Sequence, residues 1–217
     1  MQDEHRARLL ANELHIERRW GQPCRAFNLC ARIRPATVSA LSGLQERILG
    51  AGSSPLSSSL LRVPERAMHI SVAWLVPVHL GIPAEQKDEL WREHGRRWQS
   101  VIAAEVRSAG RLSLRYQDAV ATDSAIVALA WPADEVNTLR RNLRRRLDIA
   151  AEISAGNMVH STLFRYMKPF GDPGGLLKLM ANLEISIEAQ IAELMLVRET
   201  VFPALEQDVV ARFPLSR

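Results

Sequence analysis

Two short strings place a histidine, a spacer, a hydroxyl residue and an apolar residue in the same order. They are His69-Ile70-Ser71-Val72 and His160-Ser161-Thr162-Leu163, about ninety positions apart, and no other histidine is followed two residues later by serine or threonine. Side chains alternate between the two faces of an extended strand, so each imidazole projects beside its hydroxyl. Two imidazoles and two hydroxyls suit acid–base chemistry on a phosphoester without a metal.

The residues around both strings predict β-strands. Each string lies in an apolar run with β-branched residues and is followed by further apolar or aromatic residues, Ala73-Trp74-Leu75 in the first case and Leu163-Phe164 in the second. A structural interpretation stays open beside the chemical one. In it, both histidines are half-buried strand residues bonded to a carbonyl, and Ser71 and Thr162 are merely good strand formers.

The composition is that of a globular protein. The chain has 217 residues, 47% of them hydrophobic, which suffices for one large domain or two small lobes. Its 28 basic and 24 acidic residues leave a net charge of +4 and a pI of about 9.6, a modest excess that favours an anionic partner. No apolar run approaches the roughly 18 residues of a membrane span, and the charged N-terminus lacks a signal-peptide stretch. We therefore expect a cytoplasmic protein without a membrane partner.

Metal and cofactor signatures are absent from the sequence. Cys24 and Cys30 are the only cysteines, which is too few for a zinc site. The remaining histidines show no HExxH spacing, and there is no GxGxxG or GxxxxGK[ST] loop. We expect neither a metal nor a cofactor.

Hydrophobic periodicity predicts alternating strands and helices in two similar halves. The predicted order is strand, helix, strand with His69, helix, two strands, helix, strand with His160, helix, and closing strands over residues 185–197 and 209–213. Residues 3–20 predict an amphipathic helix with an apolar stripe of Leu9, Leu10, Leu14 and Trp20.

One predicted helix carries a run of arginines. It opens with Pro132 and two acidic residues, and its apolar positions are Val136, Leu139, Leu143 and Leu147. Its other face holds Arg140, Arg141, Arg144 and Arg145. Because no aromatic residues interleave this run, we expect a solvated face rather than a nucleic-acid patch.

The two strings resemble the paired His-x-[Thr/Ser]-apolar motifs of the two-histidine (2H) phosphoesterases, in particular the LigT-like RNA 2′,3′-cyclic phosphodiesterases and 2′-5′ RNA ligases. Residues 25–31 (Arg-Ala-Phe-Asn-Leu-Cys-Ala), followed by Pro35, are similar to the opening strand of that family. Residues 162–165 resemble its Thr-Leu-x-Arg continuation. Ser71 stands where the family more often has threonine. The likeness covers residues 24–217, which we expect to form a single bilobal domain, with residues 1–23 as an amphipathic helical extension.

This resemblance implies an α+β fold with two lobes related by a pseudo-twofold axis, two antiparallel sheets facing a central cleft and helices outside. It implies that His69 and His160 are the catalytic acid and base and that Ser71 and Thr162 bind the phosphate. The implied enzyme is a metal-independent phosphodiesterase that hydrolyses or reversibly forms a 2′,3′-cyclic or 2′-5′ phosphodiester of a nucleotide or RNA end. We expect it to be a monomer.

Three residues after the second motif are candidate substrate contacts. Strict alternation puts Phe164 and Tyr166 on the His160 face, where they would stack a base, although core packing suits Phe164 better. Alternation puts Arg165 on the opposite face, so a bulge is needed to bring it to the phosphate, and otherwise it forms a surface salt bridge.

Two other functions remain open. The same fold could serve a non-catalytic protein that binds a nucleotide or RNA phosphate. Alternatively, the arginine helix or the N-terminal helix could dock another protein on a scaffold whose motifs are vestigial. The intact imidazoles and hydroxyls of both motifs favour turnover.

Overall fold

A computed structural model describes residues 2–51, 54–148 and 156–215. Its helices are α1 (Gln2–Leu10), α2 (Pro35–Ala51), α3 (Ser54–Ser57), α4 (Ala84–Ser108), α5 (Asp134–Leu147) and α6 (Pro173–Ala181). Its strands are β1 (Pro23–Ala31), β2 (Leu60–Arg62), β3 (Ile70–Val76), β4 (Leu112–Ala121), β5 (Ala125–Trp131), β6 (His160–Tyr166), β7 (Ile187–Ile191), β8 (Glu193–Val201) and β9 (Glu206–Pro214). The single closing strand expected over residues 185–197 is thus two strands, β7 and β8.

These strands form two antiparallel sheets. The first has four strands in the order β3-β1-β8-β9, and the second has five in the order β2-β6-β5-β4-β7. His69 directly precedes β3, and His160 begins β6. When the short edge strand β2 is set aside, each histidine strand is the outermost of four. The predicted α+β architecture with two antiparallel sheets is confirmed.

Helices cover the sheets with apolar stripes. Leu41, Leu44 and Ile48 of α2 repeat at three- and four-residue intervals, are buried, and pack this helix on the second sheet. Trp98 and Ile102 do the same for α4 on the first sheet. In the described ranges, no helix has the length and apolar character needed to cross a bilayer.

The N-terminal helix is shorter than its periodicity predicts. A helix over residues 3–20 is wrong beyond Leu10, because Asn12 adopts a left-handed conformation with φ 58° and ends the helical turn. The Asn12 side chain donates to the Phe170 carbonyl at 2.9 Å. Residues 15–17 then run extended beside the end of β6, with Ile16 forming a parallel bridge to Tyr166. We call residues 13–20 the N-terminal strap.

Candidate active site

A cleft of about 410 Å³ brings the two histidine motifs together. The first sheet and its entry contribute His69, Ser71, Trp74, Asn28 and Glu199, the second sheet contributes His160, Thr162 and Arg165, and the N-terminal strap contributes His15, Glu17 and Arg19. Both imidazoles and both hydroxyls of the motifs therefore face one space, although they come from different sheets.

The His69 ring is fixed by the chain that leads into β3. Its Nδ1 lies 2.8 Å from the Ala67 carbonyl oxygen. A carbonyl oxygen only accepts, so Nδ1 carries the hydrogen and donates it, and Nε2 is the lone-pair nitrogen of the neutral ring. Nε2 lies 3.3 Å from the Ser71 Oγ. Burial lowers the pKa of His69, while the bond to Ala67 and the charge of Glu199 act to raise it.

The His160 ring repeats this arrangement on β6. Its Nδ1 donates to the Met158 carbonyl at 3.2 Å, which again leaves Nε2 for the cleft. Burial lowers the pKa of His160 to about 4, and the charges of Arg140 and Arg165 act in the same direction. Each imidazole is thus held in the same tautomer by the carbonyl two residues before it.

A buried serine ties the two motif strands together. The Ser161 Oγ donates to the backbone carbonyl of His69 at 2.9 Å. Its single hydrogen is then used, so the Tyr116 hydroxyl is the donor in the 2.7 Å bond between Tyr116 and Ser161. Ser161 is fully buried. The spacer of the second motif therefore fixes β6 against the residue that carries the first imidazole.

Arg140, on α5, links β3 to the segment that leads into β6. Its guanidinium donates to the carbonyls of Ser71 at 2.5 Å, Gly156 at 2.7 Å and Met158 at 3.2 Å, and to the Asn137 Oδ1 at 3.0 Å. Only 7% of Arg140 is exposed, so the expectation of a solvated position is wrong for this residue. The Met158 carbonyl accepts from both Arg140 and His160, which makes Arg140 a positioning residue for that ring.

The other arginines of this helix follow the expectation. Arg141, Arg144 and Arg145 are exposed. Arg141 donates only locally in the described contacts, to the Thr138 Oγ1 at 2.8 Å.

A β-bulge places Arg165 in the cleft. The β5–β6 register shifts between Val127, which pairs with Thr162, and Ile126, which pairs with Phe164. Leu163 is the extra residue, so the alternation reverses after Thr162. Among the described residues no hydrogen-bond or ion-pair partner is found for the Arg165 guanidinium, and its Nε is buried without an acceptor. Burial lowers the pKa of Arg165, while the nearby Glu17 acts to raise it.

The same bulge turns the two aromatic candidates, Phe164 and Tyr166, away from the cleft. Phe164 and Tyr166 are fully buried in the core and do not line the cleft, so the expectation that they stack a base is wrong. Tyr166 uses its hydroxyl to donate to the Thr122 carbonyl at 2.9 Å. Parity counted from His160 assigned them to the wrong face because it ignored Leu163.

Sequence reasoning missed Glu199 on β8. Its carboxylate accepts from the Ala204 backbone N–H at 2.7 Å and from the Asn28 Nδ2 at 3.2 Å. Burial raises the pKa of Glu199, which the bond from Ala204 and the neighbouring His69 act to lower. The available signal was a carboxylate two residues beyond the predicted end of an apolar strand.

The strap was missed as well. The His15 N–H donates to the Asp123 carbonyl at 2.7 Å, and the Glu17 N–H donates to the Tyr166 carbonyl at 2.9 Å. Alternation along the extended residues 15–17 turns His15 and Glu17 toward the cleft, and Arg19 reaches it from the turn that follows. These three side chains of the strap are therefore part of the cleft wall.

The sequence matches no family model and no curated protein. Solved structures are similar in fold. The protein TT0787 of Thermus thermophilus aligns with a TM-score of 0.64 at 16% identity, covering 88% of this chain and 97% of its own. Apo E. coli LigT aligns at 0.59 and 13% identity, and LigT complexed with 3′-AMP at 0.58 and 14%, each covering 90% of this chain and 100% of LigT. The chain has the LigT-like 2H phosphoesterase fold.

Proposed function

We propose that this chain is a 2H phosphoesterase, a metal-independent phosphodiesterase that acts on a 2′,3′-cyclic or 2′-5′ phosphodiester of a nucleotide or RNA end. One observation carries the proposal: two imidazoles from different sheets share one cleft, and each is anchored through Nδ1 so that Nε2 is left for the substrate. Histidines with a purely structural role in two different sheets would not need to face a common cleft.

In hydrolysis of a cyclic phosphate, Nε2 of the neutral ring takes a proton from water while the water oxygen bonds to phosphorus. The bond from phosphorus to the ribose oxygen on the opposite side breaks, and the protonated ring gives that oxygen its Nε2 proton. Ser71, Thr162 and Arg165 hold the non-bridging oxygens and stabilise the charge that develops there. Running these steps backwards forms the diester.

The neighbours of the two rings support a division of roles. The charge of Glu199 acts to raise the pKa of His69, and Arg165 acts to lower it. For His160, both Arg140 and Arg165 act to lower the pKa, and no carboxylate among the described residues acts to raise it. In the hydrolytic direction His69 is then the acid and His160 the base. Burial lowers the pKa of both rings, so protonation of either is unfavourable in the free protein. The negative charge of the bound phosphate raises the pKa of the ring that acts as the acid and favours its protonated form.

This division of roles has its own test. Glu199→Gln removes the negative neighbour and lowers the pKa of His69, so the high-pH limb of the kcat/KM profile moves to lower pH. If the acid were His160, that limb would keep its position. Glu199→Asp, which restores the charge, moves the limb back toward the wild-type profile.

Several known complexes support the ligand class. LigT has been solved with 3′-AMP, with phosphate and with ATP. The net positive charge of this chain suits the same kind of anion, as does the Arg165 guanidinium, for which no partner is found among the described residues.

The test is incubation with 2′,3′-cyclic AMP and with a 2′-5′-linked dinucleotide, with and without EDTA. We expect cleavage that persists in EDTA and falls by at least about 10²-fold in His69→Ala and in His160→Ala. His94→Ala, on α4 outside the cleft, is the matched control and keeps wild-type rates. Binding of 3′-AMP without cleavage of either substrate would instead identify a non-catalytic phosphate-binding protein.

A further inference from the structure

A second pocket continues the cleft beyond Arg19. It has a volume of about 420 Å³ and shares Arg19, Val78 and Phe202 with the cleft. The guanidinium of Arg19 stacks on the Phe202 ring, with its central carbon 4.6 Å from the ring centroid, which fixes its orientation at the junction. A ligand that fills the cleft can therefore extend past Arg19 into this pocket.

Three cations line this basic pocket: Arg19, Arg25 and Lys87. No carboxylate is found among its described lining residues. Arg25 pairs with Asp88 across 3.2 Å, but Asp88 lies outside the lining. Arg19 pairs with Glu17 at 3.7 Å and also interacts with the charge of the buried Glu199, but both carboxylates lie outside the lining of the basic pocket. The pocket thus concentrates more positive charge than its own walls neutralise.

Lys87 is the most informative of the three. It is 5% exposed, and its ammonium donates to the Val78 carbonyl at 2.9 Å, which uses one of its three N–H donors. Burial lowers the pKa of Lys87, and the charge of Arg19 adds to this effect, so the two cations lie close enough to repel each other. A buried ammonium beside a guanidinium is costly unless an anion joins them.

We propose that the basic pocket binds a second phosphate of the substrate, the 5′-phosphate of the nucleotide whose 2′,3′ end occupies the cleft. The proposal rests on the function proposed above and narrows its substrate class. In an RNA chain this group is the internucleotide phosphate, so the pocket selects RNA ends and 5′-phosphorylated nucleotides over nucleosides that carry only the reacting phosphate. Guanidinium forks and an ammonium are the side chains that bind phosphate oxygens best.

The test is calorimetric titration with adenosine 3′-monophosphate and adenosine 3′,5′-bisphosphate. We expect the bisphosphate to bind at least about tenfold more tightly to the wild type, the gain typical of one charged hydrogen bond. Arg25→Gln should abolish most of this preference. Arg97→Gln removes an exposed arginine of α4 and should keep it, which controls for the loss of one charge.

Equal affinities of the wild type for the two nucleotides would overturn the proposal, whether or not the variants fold. A preference that survives in a folded Arg25→Gln protein would overturn the assignment to this pocket. Because the readout is binding, it is separate from turnover of 2′,3′-cyclic AMP. Turnover without a preference refutes the pocket alone, and a preference without turnover refutes the catalytic proposal alone.

Discussion

Replacing Arg140 by methionine tests whether the link between the two motif strands holds the site together. The change keeps a long apolar stem on α5 but removes four donated hydrogen bonds, three of them to backbone carbonyls. Charged hydrogen bonds contribute about 1.5–3 kcal/mol each, or about 6–12 kcal/mol together before desolvation is subtracted. Burial already lowers the pKa of Arg140 to about 10, which reflects that opposing cost. We expect a net loss of about 3–5 kcal/mol in the free energy of unfolding.

The matched control is Arg141→Met, one residue along the same helix. Arg141 is exposed, so its loss should change the free energy of unfolding by no more than about 0.5 kcal/mol. The assay is urea unfolding followed by circular dichroism on both variants and on Arg140→Lys, which keeps the charge but not the planar fork and should recover only part of the loss.

A kinetic readout separates positioning from simple destabilisation. Loss of the Arg140 cation removes one of the charges that lower the pKa of His160, so the low-pH limb of kcat/KM should move to higher pH in Arg140→Met. The reasoning is refuted if Arg140→Met is as stable as Arg141→Met. It is also refuted if the variant is destabilised while its pH profile stays in place.

Three further outcomes follow from the contacts. The pKa of His160 is about 4 in the folded chain, below its ordinary value, so as the pH falls the unfolded chain takes up a proton on this ring before the folded chain does. The free energy of unfolding should therefore decrease as the pH drops from about 6.5 to 4, and the decrease should be smaller in His160→Gln. Phe164→Ala should cost about 3–5 kcal/mol in urea unfolding, whereas Arg165→Gln should leave stability nearly unchanged and weaken phosphate binding measured by calorimetry. Ser161→Ala leaves the buried Tyr116 hydroxyl without its acceptor and should lower the free energy of unfolding by about 1–3 kcal/mol. Tyr116→Phe should then cost less in the Ser161→Ala background than in the wild type, and a double-mutant cycle measures this coupling.

The alternation of side chains along a strand was enough to predict that each motif histidine shares a face with its hydroxyl residue. His69 with Ser71 and His160 with Thr162 are two residues apart on strands, and the structure places each pair in the cleft. Periodicity gave only the alternation of strands and helices in two halves, and the expectation of two antiparallel sheets came from the family resemblance of the motifs. Alternation does not determine how the two sheets pack against each other. The two motifs share a cleft only because of that packing.

The bulge at Leu163 was beyond sequence reasoning because its support is distant. The freed Leu163 carbonyl accepts from the Val63 N–H at 3.0 Å and from the buried Gln45 Nε2 at 2.7 Å, across 118 positions of sequence. A bulge is stable only when such partners exist. The residues next to Leu163 give no sign of these distant partners. Phe164 and Tyr166 were therefore assigned to the wrong face of the strand, and the assignment of Arg165 to the cleft depended on a bulge that the sequence did not reveal.

The burial of Arg140, in contrast, could have been predicted from its spacing in the helix, but its charge led to the opposite interpretation. Val136, Arg140, Leu143 and Leu147 follow the i, i+4, i+7, i+11 spacing of a buried stripe, and all four are buried. Grouping the arginines by charge placed Arg140 with its exposed neighbours, whereas grouping by period places it against the protein. A charged residue at a core position of an otherwise regular stripe needs buried partners, which here are the backbone carbonyls beside both motifs.

The two motifs are alike in their own residues and unlike in what surrounds them. The tautomer of each ring follows from a carbonyl two positions earlier, a local arrangement that repeats because the strand entries repeat. The charges that distinguish the rings come from elsewhere: Glu199 from β8 beside His69, and Arg140 from α5 beside His160. A pair of equivalent imidazoles cannot be acid and base in one direction of a reaction until something separates their pKa values. In this fold the motif supplies the pair of rings, and the unmatched elements of the two lobes supply the difference between them.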